Sequence, residues 1–133
     1  MATRGVRNFN PGNIRLSNGV PFKGEVPSTD KSFRQFESMV YGIRALIKLL
    51  QTYYRIYKLT TVRAIITRYA PSTENRTDKY IDFVCEFMHV ESDTILHFNV
   101  PNVLFNLVCA ICEYESKYTP SIVTGKQIGR AHV

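Results

Sequence analysis

Uninterrupted hydrophobicity is what the chain has least of. Its longest apolar runs are broken by Arg44, Lys48 and Arg55, or by Asn106, and none approaches the ~20 apolar residues that cross a bilayer, so no membrane span is expected. The opening MATRGVRNFNPG lacks the apolar stretch of a secretory signal. The expectation is a soluble protein that leaves its producing cell, if at all, by lysis or inside a particle. Cysteine is scarce and odd in number: Cys85, Cys109 and Cys112. Cys109 and Cys112 form a C-x-x-C, but no second Cys or His pair completes a zinc site, and the pair lies inside a helical pattern. Core thiols in a reducing compartment are the better reading. His89, His97 and His132 show no triad or metal spacing. Folding without metal or cofactor is therefore expected, and no internal repeat or low-complexity tract is present.

What the chain does have suits one compact domain. With 133 residues and 44% apolar content, two independent cores would each be too small. Seventeen basic residues against eleven acidic give a net charge of +6, scattered along the chain instead of blocked. That bias suits nucleic acid or an anionic cell wall equally. A recognition-helix cluster, a zinc finger and an aromatic RNA-binding signature are all absent, so no specific nucleic-acid partner is expected, and a basic nucleic-acid-binding module ranks third among the functions considered.

Residues 128–133, IGRAHV, are the translation of ATCGGAAGAGCACACGTC, the start of a common sequencing adapter, and a CAG codon for Gln127 would supply its two preceding bases. Residues 126–133 are accordingly read as an artefactual tail, and residues 1–125 as the domain.

Pro11, Pro21 and Pro27 with Gly5, Gly12, Gly19 and Gly24 break up any long helix in the first 37 residues, which should form loops, turns and short strands. Asn10-Pro11-Gly12-Asn13 has the residue order of a type II turn, Pro presetting a negative φ and Gly accepting a positive one. After Ser38, Ile43, Leu46, Ile47, Leu50, Tyr54 and Tyr57 recur as one helical face. Val62, Ile65, Ile66 and Tyr69 follow Thr60-Thr61 in a shorter helix that Pro71 stops. After a polar loop at 72–76, Thr77 can cap a third helix carrying Tyr80, Ile81, Val84, Phe87 and Met88 and ending near His89. Pro101-Asn102 opens a fourth, through about Lys117, with Leu104, Leu107, Val108, Ile111 and Glu115 on one face. Tyr53, Tyr54 and Tyr57 read as core and rim packing more than as sugar platforms.

At roughly 100° per residue Glu115 falls about 40° from Ile111, whereas Glu113 falls about 200° away and should meet water. A carboxyl at the end of an apolar stripe is partly desolvated, which raises its pKa toward values useful for protonating a leaving group. A solvated or ion-paired helix-terminal Glu is the competing reading.

The segments Arg7-Asn8-Phe9-Asn10-Pro11-Gly12-Asn13-Ile14-Arg15, Phe33-Arg34-Gln35-Phe36 with Gly42-Ile43-Arg44-Ala45, and Tyr69-Ala70-Pro71 with Glu74-Asn75, Thr77 and Tyr80 resemble a family of small phage virion structural proteins that open R-x-N-N-P-G-N-I-R. The chain departs from it with Phe9 in place of a second Asn, and with Ser116-Lys117 where Asn-Gly is common. The same segments are similar, in circularly permuted order, to lysozyme-like lytic transglycosylases, with Glu115-Ser116 last instead of first. The resemblance implies a mainly α, lysozyme-like helical domain with an irregular N-terminal segment. It further implies a virion-associated peptidoglycan-degrading protein, a lysozyme or lytic transglycosylase, cutting between N-acetylmuramic acid and N-acetylglucosamine. Glu115 would be its acid and then its base, with no obligatory second carboxylate. Asn75, Thr77 and Tyr80 would offer polar groups and a ring face to the sugar. Asn10, Asn13 and Arg15 read equally as groove lining or as a self-bonded turn, and Glu74 reads more readily as part of a loop and cap than as a second carboxylate. The alternative is a non-enzymatic virion structural protein that keeps the fold to meet other virion proteins.

Overall fold

The computed structural model describes residues 1–71 and 73–120, with the side chains of Glu74 and Asn75 outside that description. The expectations for residues 126–133, and for Ser72 within the 72–76 loop, lie outside the described residues. In chain order the elements are α1 (Arg4–Arg7), β1 (Glu25–Val26), β2 (Gln35–Phe36), α2 (Met39–Arg55), α3 (Val62–Tyr69), α4 (Glu74–Met88) and α5 (Val103–Ser116). The architecture is mainly α. No helix among the described residues is long and apolar enough to cross a membrane.

The apolar periodicity becomes the core. Ile43, Leu46 and Leu50 of α2, Ile65 and Ile66 of α3, Val84 of α4, and Leu107 and Ile111 of α5 are fully buried. Each contributes about 1.5–3 kcal/mol by leaving water. α5 packs against α4 and α2, and α3 joins α4 to α2. Tyr57 and Phe87, expected on apolar faces, stand 50% and 37% exposed at the margins. Cys109 and Cys112 are buried and Cys85 half-buried, all three as free thiols. Burial raises the Cys109 thiol to about 11 and pushes Cys112 up as well, so both remain protonated.

Helix starts follow side-chain caps in two cases. The Thr61 hydroxyl accepts from the Ala64 amide at the head of α3. The third predicted helix begins earlier than expected, because Thr73 and not Thr77 caps α4 by accepting from the Arg76 amide. Ser38 precedes α2 without a side-chain cap bond.

The irregular segment before α2 is tied together by antiparallel pairing. Strand β1 pairs with β2 in the register Glu25 to Phe36 and Val26 to Gln35, and Arg15 bridges Phe33 on the other side. At 10–13 the turn is closed by the Asn13 amide on the Asn10 carbonyl, 2.9 Å. Its type differs from the expectation. Gly12 does not take a positive φ; the left-handed residues are Phe9 and Asn13, at φ 52° and 53°. Gly12 is required for space instead, since a Cβ there would press on the Tyr69 hydroxyl and on Leu46. Gly42 serves the same end on α2, where a side chain would collide with the Phe9 carbonyl. Close backbone approach thus seats the turn on α2.

Candidate functional site

Glu115 occupies the last turn of α5, one residue from its end, and is half-buried. Three pieces of chain converge on it. From the N-terminal turn, the Asn13 side-chain amide donates to Glu115 Oε1 at 3.1 Å and to its backbone carbonyl at 3.2 Å. From α4 comes Tyr80, and from α5 itself Tyr114, whose ring stacks on that of Tyr80 with centroids 3.8 Å apart and planes 20° from parallel. Arg15, Ala70, Pro71 and Arg76 complete a cleft of roughly 260 Å³ with Tyr80, Tyr114 and Glu115. Among the described residues Glu115 is the one carboxyl lining it.

The seam between turn and helix is fixed by Ser116. Its hydroxyl is buried and donates to the Pro11 carbonyl at 2.7 Å, while the Thr3 hydroxyl donates to the Ser116 carbonyl at 2.8 Å. The residue after Ser116, Lys117, takes φ 52°, ψ 40° and closes the helix in the left-handed conformation. Glycine adopts that conformation without strain, so Lys117 carries a backbone cost there that a glycine would not.

Desolvation raises the Glu115 pKa above its ordinary value, and the Asn13 bond, the nearby Tyr80 phenol and the positive charge of Arg15 oppose that rise without cancelling it. Burial, followed by the adjacent Glu115 charge, pushes the Tyr80 hydroxyl well above its usual range and keeps it a neutral donor. Tyr80 is 4% exposed, and its hydroxyl, though close enough to influence Glu115, makes no well-formed hydrogen bond. Asn13 Oδ1 is likewise buried without a partner. Tyr80 lines the cleft beside Glu115, whereas Asn13 Oδ1 lies against Gly5 and Asn13 is not part of the cleft lining. Buried polar groups are ordinarily satisfied, so the Tyr80 hydroxyl is the group beside the carboxyl that a polar ligand could engage.

The residues named from sequence divide clearly. Glu115, Asn13, Arg15 and Tyr80 come together. Asn10 is fully buried beneath the turn; its amide donates to the carbonyls of Ile14 and Arg34 at 3.0 and 2.9 Å, and its oxygen accepts from the Ile14 amide at 2.9 Å. It does not line this cleft, and its bonds make it part of the scaffold under the turn. Thr77 is half-buried on α4 outside the cleft lining. The Asn75 and Glu74 side chains fall outside the description. Glu113 accepts from the Thr119 hydroxyl in an exposed setting. Sequence reasoning did not single out Tyr114, Arg76, Ala70 or Pro71 as lining. The available signal was that Tyr114 immediately precedes Glu115 and Arg76 lies one helical turn before Tyr80.

Comparison with known proteins finds a likeness to Protein P5 of Pseudoalteromonas phage PM2, 43% identical over 86 residues, which take in 62% of this chain and 54% of that protein. The chain thus spans about half the length of the curated relative it matches. No family model matches. The cleft around Glu115 belongs to a mainly helical chain similar to a phage protein.

Proposed function

We propose that this is a phage virion-associated protein with a lysozyme-like, circularly permuted arrangement, whose Glu115 cleft binds and cleaves peptidoglycan glycan between N-acetylmuramic acid and N-acetylglucosamine. The observation that carries the reading is a single desolvated carboxyl lining a cleft, with the buried Tyr80 hydroxyl beside it. In this reading Glu115 enters protonated and gives its proton to the glycosidic oxygen as the C1–O bond breaks. The carboxylate left behind then takes a proton from the incoming nucleophile. That nucleophile is water in a lysozyme, or a hydroxyl of the same sugar in a lytic transglycosylase, which needs no second carboxylate. Arg15 and Arg76 bring positive charge to an anionic wall polymer.

A second reading is a non-enzymatic virion structural protein that meets other virion proteins through the same fold. The likeness to a phage protein bears on the particle and not on chemistry, and it supports this second reading more directly than the first. Incubation with purified peptidoglycan and mass analysis of the soluble fragments separates the two. An anhydro ring on the released sugar reports a transglycosylase, a free reducing end reports a hydrolase, and undigested wall favours the structural protein.

A further inference from the structure

A second cleft, of roughly 440 Å³, shares Arg15 with the first. Its walls come from the 13–22 loop, from Leu49, Thr52 and Tyr53 of α2, and from Arg68 and Tyr69 at the end of α3. Arg15 lines both clefts, and Asn13, which lines this one, is bonded to Glu115. The two clefts therefore adjoin at Arg15, and the second is the neighbouring arm of the site.

The charges in this arm are unequal. Arg34 is 5% exposed and neutralised, donating to both oxygens of Glu25 at 2.7 and 2.9 Å. Arg68 makes no salt bridge among the described residues and no Asp or Glu lines the arm, while the charge of Arg15 also acts on Glu115 in the first cleft. Arg68 is also held in place, its guanidinium 4.6 Å from the Tyr57 ring centroid and 5.7 Å from that of Tyr53. A guanidinium ordered by ring faces loses less freedom on gripping a carboxylate, and its planar fork matches that group. Between the arginines the wall is a mixture of apolar side chains (Val20, Phe22, Leu49) and hydroxyls (Ser17, Thr52). That lining favours an organic acid with carbon substituents over a bare polyphosphate.

We propose that this arm is an anion-binding subsite for the carboxylate-bearing peptide branch that muramic acid carries on its lactyl group, with Arg68 as the residue that selects it. The proposal rests on the glycan reading of the Glu115 cleft and adds a specificity to it. Chains bearing acidic peptides are held across both arms, and unsubstituted N-acetylglucosamine chains reach only the first.

The test is binding, which requires no cleavage. The full chain, uniformly labelled with nitrogen-15, is titrated with muramyl dipeptide and, in parallel, with the uncharged tetramer of N-acetylglucosamine. The expected result is that the dipeptide shifts the amides of Val20, Tyr57 and Arg68, that Arg68→Ala weakens it at least tenfold with only partial recovery in Arg68→Lys, and that Glu113→Gln, outside both clefts, leaves its affinity unchanged. Tetramer binding should be indifferent to Arg68. Because Arg68 is exposed on α3, both variants are expected to keep the parent's amide spectrum elsewhere, and a second neutral variant, Arg68→Gln, guards against a fold effect in one of them. Dipeptide affinity unchanged in Arg68→Ala and Arg68→Gln, shifts confined to Tyr80, Tyr114 and Glu115, or no dipeptide binding at millimolar concentration would each overturn the subsite. A protein that binds the dipeptide through Arg68 but cuts no wall keeps the subsite and loses the catalytic reading; one that cuts wall indifferently to Arg68 does the reverse.

Discussion

Residues 1–37 are held largely by polar bonds, whereas helices α2 to α5 are held by apolar packing. In the first region Asn10 spends its side chain on three backbone groups, Arg34 clamps Glu25 and the Arg15 carbonyl, and Asp30 accepts from Arg4, Asn8 and the amides of Ser32 and Phe33. In the second, fully buried Ile, Leu and Val side chains meet across helices. A segment rich in Pro and Gly cannot build apolar stripes, so it uses directed bonds, and directed bonds place side chains with little slack. The candidate site lies at the seam, where Asn13 and Arg15 from the polar region face Tyr80 and Glu115 from the apolar one.

The comparison can be broken from either side. Leu46→Ala should be the most damaging change considered, costing about 3–4 kcal/mol because a cavity remains in a packed core, and urea unfolding should show the whole domain destabilised. Asn10→Ala removes three buried hydrogen bonds and strands their backbone partners, for a loss of about 2–3 kcal/mol. Its signature is local. Amide exchange should quicken first at Ile14 and Arg34 while the α2 amides keep their protection, and uniform quickening would mean that the two regions are one cooperative unit.

Lys117→Gly sharpens the seam in the other direction. Relief of the left-handed conformation at the end of α5 should stabilise the domain by about 1 kcal/mol, visible as a raised melting temperature; no rise would mean that the Lys117 side chain supplies compensating contacts.

Acid treats the two regions oppositely. The Arg4 guanidinium, first among several donors, holds the Asp30 carboxyl well below the usual carboxylate range, so its contribution is present at neutral pH and is lost as pH falls through that lowered value. Glu115 has a raised pKa, so its charged form weighs against folding above the ordinary value of 4.5, and that penalty disappears as pH falls below it. Melting curves across pH should therefore show Glu115→Gln more stable than the parent at pH 7, with the two converging below pH 4.5. Asp30→Asn should be less stable at neutral pH, with the deficit shrinking in strong acid. Parallel curves for either variant would contradict the assigned shift.

Much of the helical region was legible because burial imposes a 3.6-residue period that α2, α3, α4 and α5 obey. The start of α4 was not, since Glu74-Asn75-Arg76 has the composition of a loop, and the Thr73 cap is defined only by the geometry of Arg76. The role of Gly12 was misread for a related reason: its need for space is set by Tyr69 and Leu46, distant in sequence. Glu115 could be found because periodicity alone aims it inward. Its neighbours could not be sorted, because the buried bonds of Asn10 and the Tyr80–Tyr114 stack exist only once the turn and two helices meet. Four-residue α1 left no periodic trace.

The central claim is that Glu115 delivers a proton to a glycosidic bond. Glu115→Gln preserves shape and hydrogen-bonding capacity but cannot transfer that proton, whereas Glu113→Gln changes a carboxyl outside the cleft. Soluble fragments released from purified peptidoglycan, quantified by mass spectrometry for the parent and both variants, should fall by ~10²-fold or more for Glu115→Gln and stay at the parental level for Glu113→Gln. Equal release by all three proteins would remove Glu115 from the chemistry, and no release by the parent would leave the virion structural protein as the account.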